Sequence, residues 1–404
     1  MKFLLLNQTF YPDVMATGQY LQEVALDLAG RGHEVTVITS RRAYDHPEKQ
    51  FPKREMWRGI HIYRVASTGF GKTAKWRRAT DFATFMVCCS VRLALLPRPD
   101  AIVALTSPPL ISFLGACLAK LHRCRFFYWV MDFNPDEAIA AGWLRPESVL
   151  GKLLERMSRF SLQRATKIIV LDRFMRDRIV AKGIRSEKIT VAPLWSHDGE
   201  IQFDQDGRER FREAHCLSGK FVVMHAGNHS PCHSLDTLLQ AARRLRHDPA
   251  IVFCFVGGGS EFLKLQQLSA NSSQAPAANL ICLPYQPLSQ LSAVLSAADL
   301  HVVVMGDAFV GIVHPCKIYN ILSVGAPVLY IGPRPSHLSE MLDVLKDHRL
   351  CADARHGDVD RVVDEIERVR EKIGKNQREV PLTLISRHSK RAALPGLTSV
   401  LESI

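Results

Sequence analysis

Residues 306–325, GDAFVGIVHPCKIYNILSVG, hold the densest set of groups able to do chemistry in this 404-residue chain. The run before them, LHVVVM at 300–305, is almost wholly apolar, the pattern of a buried parallel strand. A helix is predicted over 318–324, and Gly325-Ala326-Pro327 stops it ahead of another buried strand at 328–331. A glycine-containing loop between a strand's end and a helix's start gathers free backbone N–H groups and the positive end of a helix dipole. Such a loop seats an anionic phosphate without further help. His314 adds a titratable group there and Lys317 a fixed positive one. An ordinary turn carrying a surface lysine has the same local pattern, so this stretch alone leaves both readings open.

The elements that position these residues repeat one grammar. A strand at 3–6, a loop at 7–18, a helix at 19–29 and a strand at 35–38 open a doubly wound parallel sheet. The loops at the carboxyl ends of its strands form the ligand edge. Gly18, at the helix start, lets a substrate approach the backbone. Further strands are predicted at 60–65, 101–105, 126–130, 168–171 and 189–192. The strand at 126–130 runs into MDFNPDE, where Asp136 and Glu137 read as acids in a first helical turn. Asp132 lies ahead of that turn and is the candidate for polar contact or acid–base work. From 197 to 219 the composition turns polar, the mark of a domain boundary. Strands at 221–225, 251–256, 280–283, 300–305 and 328–331 then rebuild the pattern. No loop combines GxGxxG with an acidic residue about 20 positions on, so a nicotinamide site lacks support. The expected domains are 1–197 and 198–385, with 386–404 a tail or helix packing back on the first.

Apolar content of 47% and charged content of 23% describe a soluble globular protein of two or three domains. The net charge of +12 is uneven: residues 1–197 hold 30 Lys and Arg against 17 Asp and Glu, and the remainder 22 against 23. A basic first half expects an anionic partner, such as a membrane surface, a lipid phosphate or nucleic acid, unless its cations are merely solvated. Lys72, Lys75, Arg77 and Arg78 flank Trp76 and lead into an apolar helix at 82–96. Cations beside an interfacial tryptophan and an apolar face suit a helix docked on an anionic membrane. The same helix packed in a core fits as well. A third reading takes 66–73 as a P-loop, with KIIVLD at 167–172 ending in a magnesium-binding Asp172, and rests on a loose motif. The ten cysteines include no CxxC and read as small buried hydrophobes in a reducing compartment. Four apolar residues after Lys2 are too few for a signal peptide, and no apolar run spans a bilayer. The expected location is cytoplasmic, peripheral on the inner face of the cell membrane.

Six segments in order cover nearly the whole chain: YPDVMATGQYLQEVALDLAGRGHEVTVITS, VLDRFMRDRIVAKGIRSEKITVAPLWS, MHAGNHSPCHSLDTLL, FVGGGSE, LPYQPLSQLSAVLSAADLHVVV and GIVHPCKIYNILSVGAPVLYIGP. Together they resemble family 4 glycosyltransferases of the GT-B fold, nearest the enzymes that build bacterial surface polysaccharides, the colanic-acid type included. The resemblance implies two Rossmann-like doubly wound parallel-sheet domains facing across a cleft. It implies a retaining, metal-independent hexosyl transfer with no cofactor, in which loop amides and cations neutralise a leaving diphosphate. The donor is a UDP- or GDP-linked sugar, the acceptor a lipid-linked saccharide at an anionic membrane surface, and nucleic acid is not a partner. By the same resemblance, Gly18 and the strand glycine Gly227 approach the diphosphate sugar, Asp132 lies near the sugar, and Tyr285 and Gln286 border the base.

The chain also departs from the family. A Glu pair usual around the donor loop falls at Ile312 and Asn320, and a usual Arg and Lys fall at Asn228 and His233. Charge chemistry offers a replacement: Lys317, with His314 or His233, beside the backbone N–H groups of Gly311, Ile312 and Val313. Asn320 would hydrogen-bond a ribose hydroxyl. The departures keep two alternatives open, a non-catalytic nucleotide-sugar-binding or scaffold relative and a GT-B nucleotide-sugar epimerase.

Overall fold

The computed structural model describes residues 1–13, 15–44, 46, 48–70, 75–196, 201–270, 279–345, 351–373 and 382–403. They form two compact units. The first comprises Met1–Leu194, Gly311–His314 and Ala393–Ile404, and the second Trp195–Val310 and Pro315–Ala392.

The first unit holds strands β1 (Lys2–Leu6), β2 (Glu34–Ser40), β3 (Arg54–Trp57), β4 (Ile60–Val65), β5 (Ala101–Ala104), β6 (Arg125–Trp129), β7 (Lys167–Val170) and β8 (Ile189–Val191). They lie in the order β3-β4-β2-β1-β5-β6-β7-β8. Continuous apolar runs such as FLLL and AIVA are buried on both faces, which is what parallel strands covered by helices require. Leu4 pairs with Thr36 on one side and with Ile102 on the other. The chain winds from β1 outward to β4, then returns to β5 beside β1. The strand order therefore reverses between β1 and β5, and at such a reversal the loops diverge and leave room for a ligand.

The second unit holds β9 (Phe221–Asn228), β10 (Ile251–Gly258), β11 (Leu280–Leu283), β12 (Leu300–Val304), β13 (Val328–Ile331) and β14 (Cys351–Ala354), all parallel, in the order β11-β10-β9-β12-β13-β14. Its reversal falls between β9 and β12. β9 stays registered with β10 from Phe221 to Asn228, but with β12 only at Val223 and Met224. Beyond Met224 the pairing of the two strands ends, at the reversal where ligands bind in such sheets.

Several elements escaped sequence reasoning. β3 is a short antiparallel edge strand against β4, with Arg54 opposite Tyr63 and alternate half-exposed residues, so it carries no apolar run. The helix Gln205–Ala214 lies in the polar stretch read as a boundary. It is held by charge: Asp299 accepts from Arg208 at 2.5 Å, from Arg212 at 3.1 Å and from the Val222 backbone at 2.8 Å. The helices Val149–Arg164 and His337–Leu345, and strand β14, were also missed. The helix expected at 82–96 runs over Lys75–Ala94, and among the described residues no helix is long and apolar enough to cross a membrane.

Candidate donor and sugar sites

In the second unit the site starts from His225, the first β9 residue beyond its pairing with β12. Its side chain is buried, and its Nδ1 lies 2.9 Å from the Val302 carbonyl of β12. A carbonyl only accepts, so Nδ1 carries the proton and Nε2 keeps its lone pair. Lys317 Nζ donates to that lone pair at 3.1 Å. His233 repeats the device one turn out, its Nδ1 donating to the Val304 carbonyl at 2.7 Å. The His229 ring meets His225 edge-on at 4.8 Å and packs on Phe262. Two imidazoles thus bond carbonyls that the parting strand no longer reaches.

Electrostatics follow from burial. Desolvation first, then the Lys317 charge, holds His225 well below the ordinary histidine value. The same two causes push His229 and His233 down to about 3. All three are neutral near pH 7. Burial also lowers Lys317 to about 8, opposed by Cys232 and Cys316, so its ammonium is the charge this cluster retains at neutral pH. Gly227 has φ +112°, and a Cβ on it would stand 3.4 Å from Lys317 Cε and 3.5 Å from Nζ. Gly257 of β10 has φ +139°, and a Cβ there would fall 1.9 Å from the Gly227 carbonyl oxygen. Only glycine lets these strand ends close up beneath the lysine. Asn228 is exposed at the end of β9. The half-exposed Tyr285 ring covers Gly258, where a Cβ would approach it to 2.9 Å, and Gln286 Nε2 donates to the Pro284 carbonyl at 2.9 Å. The helix Lys317–Ser323 begins at the lysine itself and carries Asn320.

In the first unit, Asp132 follows β6, and its backbone N–H donates to Thr106 Oγ1 beyond β5 at 3.3 Å. Burial, reinforced by Glu137, raises its carboxyl to about 7, so near neutrality it can both hold and release a proton. Asp136 is no general polar contact: it is ion-paired with Arg178 at 3.0 Å and with Lys182 at 2.8 Å. Gly18 lies inside the helix Ala16–Gly30, and a Cβ on it would stand 3.1 Å from Thr9. The loop after β1 uses that space.

Some expected roles change. The second positive charge sought from His233 is not supplied, because burial keeps that imidazole neutral. His314 directs Nδ1 at Asp172 Oδ2, 2.9 Å away, within the first unit. Asp172, read as a magnesium ligand in the P-loop alternative, instead caps the helix Arg173–Ala181 through Met175 N and takes up His314. The loop read as one donor element is divided: Gly311, Ile312, Val313 and His314 group with the first unit, and Lys317 and Asn320 with the second. Gly311 meets the Phe174 carbonyl at a distance no Cβ allows, and the Ile312 carbonyl accepts from Phe133 N at 2.9 Å. Lys72 and the rest of 71–74 lie outside the described residues, as do the side chains of Lys75 and Arg78. Arg77 stacks over the Trp76 ring at 5.5 Å, and Trp76 is 62% exposed. The helix Lys75–Ala94 buries Phe85, Cys89 and Leu93 and turns Val87 and Val91 outward. Sequence reasoning missed His225 and His229. The available signal was a polar residue ending an apolar strand, two positions before a glycine.

Residues 16–195 match the glycosyl transferase 4-like domain. The chain is 25% identical over 368 residues, 87% of its length and 88% of the relative's, to WcaI of Escherichia coli (strain K12), a protein named as a colanic acid biosynthesis glycosyl transferase. It is 22% identical to a glycosyltransferase named WbjE of Pseudomonas aeruginosa, over 81% of this chain and 80% of that one. Among solved structures, Anabaena HepE in complex with UDP and glucose superposes with a TM-score of 0.72 at 14% identity, covering 100% of both chains.

Proposed function

We propose that this chain is a family 4 glycosyltransferase of the GT-B fold that moves a sugar, with retention, from a UDP- or GDP-linked donor to a lipid-linked saccharide in surface polysaccharide biosynthesis. The observation that carries the proposal is the Lys317 ammonium beside the side-chain-free backbone of Gly227, at the strand reversal of the second unit. A diphosphate laid there gains a positive charge in a partly desolvated setting, where the interaction is stronger than in water. The crystallised complex of HepE with UDP, and the colanic acid role in the name of WcaI, support the same reading.

In this reading the bond from the anomeric carbon to the diphosphate breaks as the acceptor hydroxyl adds on the same face. The hydroxyl's proton passes to a leaving phosphate oxygen. Lys317 stabilises the charge that develops on the diphosphate, Asn320 and the Tyr285–Gln286 corner hold the nucleoside, and Asp132 orients a sugar hydroxyl. The acceptor's lipid is reached by a unit resting on the inner face of the membrane through Trp76, Arg77 and the neighbouring lysines and arginine. The outward Val87 and Val91 of the same helix support that contact.

A thermal-shift series with UDP, GDP and their sugars, on wild type and Lys317→Ala, tests the donor site. A ligand bound only by the folded state raises the midpoint by mass action. The expected outcome is a rise for one nucleotide class in wild type and at least a tenfold weaker response in Lys317→Ala. Equal responses from both proteins would remove the lysine from the site. The neutral His233 in place of a usual lysine favours a second reading, binding without catalysis. Release of nucleotide from the donor, dependent on added membrane extract, excludes that reading and the acceptor-free epimerase as well.

A further inference from the structure

We propose that His225 is a positioning residue for donor binding: its neutral ring, braced on the Val302 carbonyl, holds the Lys317 ammonium over Gly227. The proposal rests on the donor-site reading above. Three observations carry it. The imidazole's two hydrogen bonds run in series, Nδ1–H to Val302 at 2.9 Å and Lys317 Nζ to Nε2 at 3.1 Å, so β12 fixes the tautomer that the lysine needs. The ring lies where β9 has left β12, a place where no backbone pairing competes for that carbonyl. Gly227, at φ +112°, presents bare backbone beneath the lysine, with Nζ in contact range, 3.5 Å from where a Cβ would stand.

A long lysine side chain otherwise samples many rotamers, and an acceptor at its end lowers the entropy cost of meeting a diphosphate. The arrangement works only with a neutral ring, because a protonated His225 would offer Lys317 a second N–H and a like charge. The groups facing Lys317 are His225 of β9, His229, Cys232 and His233 of the loop after it, and Cys316 ahead of the lysine's own helix. Burial keeps the three rings neutral, which secures that condition across the physiological range. An acceptor bonded to an ammonium also favours its charged form, so His225 delays the loss of the lysine's proton as pH rises.

The test compares UDP and GDP binding by calorimetry, from pH 6 to 9.5, for wild type, Lys317→Ala, His225→Gln and His225→Asn. Gln places an amide oxygen near the Nε2 position, within reach of the lysine. Asn keeps only a donor towards Val302. We expect wild-type affinity to fall above about pH 8, His225→Gln to remain within about threefold of it, and His225→Asn to lose about tenfold with its fall displaced to lower pH. A residue that merely fills space predicts equal losses for Gln and Asn and an unmoved pH profile, and that result overturns the proposal. Lys317→Ala separates the two levels. If it binds the nucleotide as wild type does, the donor-site reading fails, whereas weakened binding there with indifferent His225 variants sinks only the role of His225.

Discussion

Asp132 and Lys317 show how burial makes ordinary side chains useful, because each is moved towards neutrality from the opposite side. Lys317 is lowered to about 8 and Asp132 raised to about 7, both chiefly by desolvation. The stability consequence of Asp132 has a definite sign. Its folded value lies above the ordinary carboxyl value of 3.8, so the folded state binds the proton more tightly. The contribution to stability is full below that lower value and disappears as pH rises through about 7. Asp132→Asn, which resembles the protonated form at every pH, should therefore melt higher than wild type at pH 8 and about equally at pH 4. Each kcal/mol recovered corresponds to roughly 2–4 °C in a domain of this size. Melting curves at the two pH values check this, and turnover should fall by at least tenfold if the carboxylate orients a sugar hydroxyl. A melting gain at pH 4 equal to that at pH 8 would remove the titration argument.

Among the elements, the helix Lys75–Ala94 has apolar groups on two faces. Phe85, Cys89 and Leu93 are buried, while Val87 is 64% and Val91 60% exposed, four residues apart and so on one outward stripe. Leu95, just beyond the helix, is 70% exposed and continues that stripe. An outward stripe adds nothing to the core of its own unit, so replacing it tests the membrane contact with little cost to folding. Val87→Glu with Val91→Glu should reduce co-sedimentation with vesicles containing phosphatidylglycerol by at least tenfold, and leave the melting point nearly unchanged. Undiminished vesicle binding would remove this face from the proposed contact. The sequence predicts an apolar helix here and leaves open whether it faces a core or a membrane. Burial decides the inward face, and the Arg92 guanidinium lies 4.0 Å from the centre of the Tyr63 ring of β4.

Across the molecule, the chain's last helix, Lys390–Glu402, ends within the first unit, far in sequence from that unit's other elements. Leu394, Leu397 and Leu401 are buried, while Glu402 reaches Arg31 at 3.0 Å and His33 at 2.7 Å. The apolar contacts should dominate, because partly exposed ion pairs contribute about 0–1 kcal/mol and a buried leucine truncated to alanine costs about 2–5 kcal/mol. Leu401→Ala should thus lower stability well beyond Glu402→Ala in denaturant titration; the reverse order would assign the anchoring to the charges.

The amino-acid sequence by itself determined what depends on local pattern. Both doubly wound sheets were legible because parallel strands covered on both faces must be continuous apolar runs, and their ligand edges because winding order places them. The resemblance to the family lay in six short segments, Gly227 and Asp132 could be placed at strand ends, and Lys317 at a helix start. Tertiary structure decided what depends on distant neighbours. It alone showed that β9 leaves β12 after Met224, so that His225 and His233 bond carbonyls some 70 or more residues away and remain neutral. It alone placed His314 against Asp172, 142 residues earlier, and divided residues 311–317 between two units. A residue's type states which charges and hydrogen bonds it can carry, but burial and partner decide which it does carry, and both are properties of the folded chain.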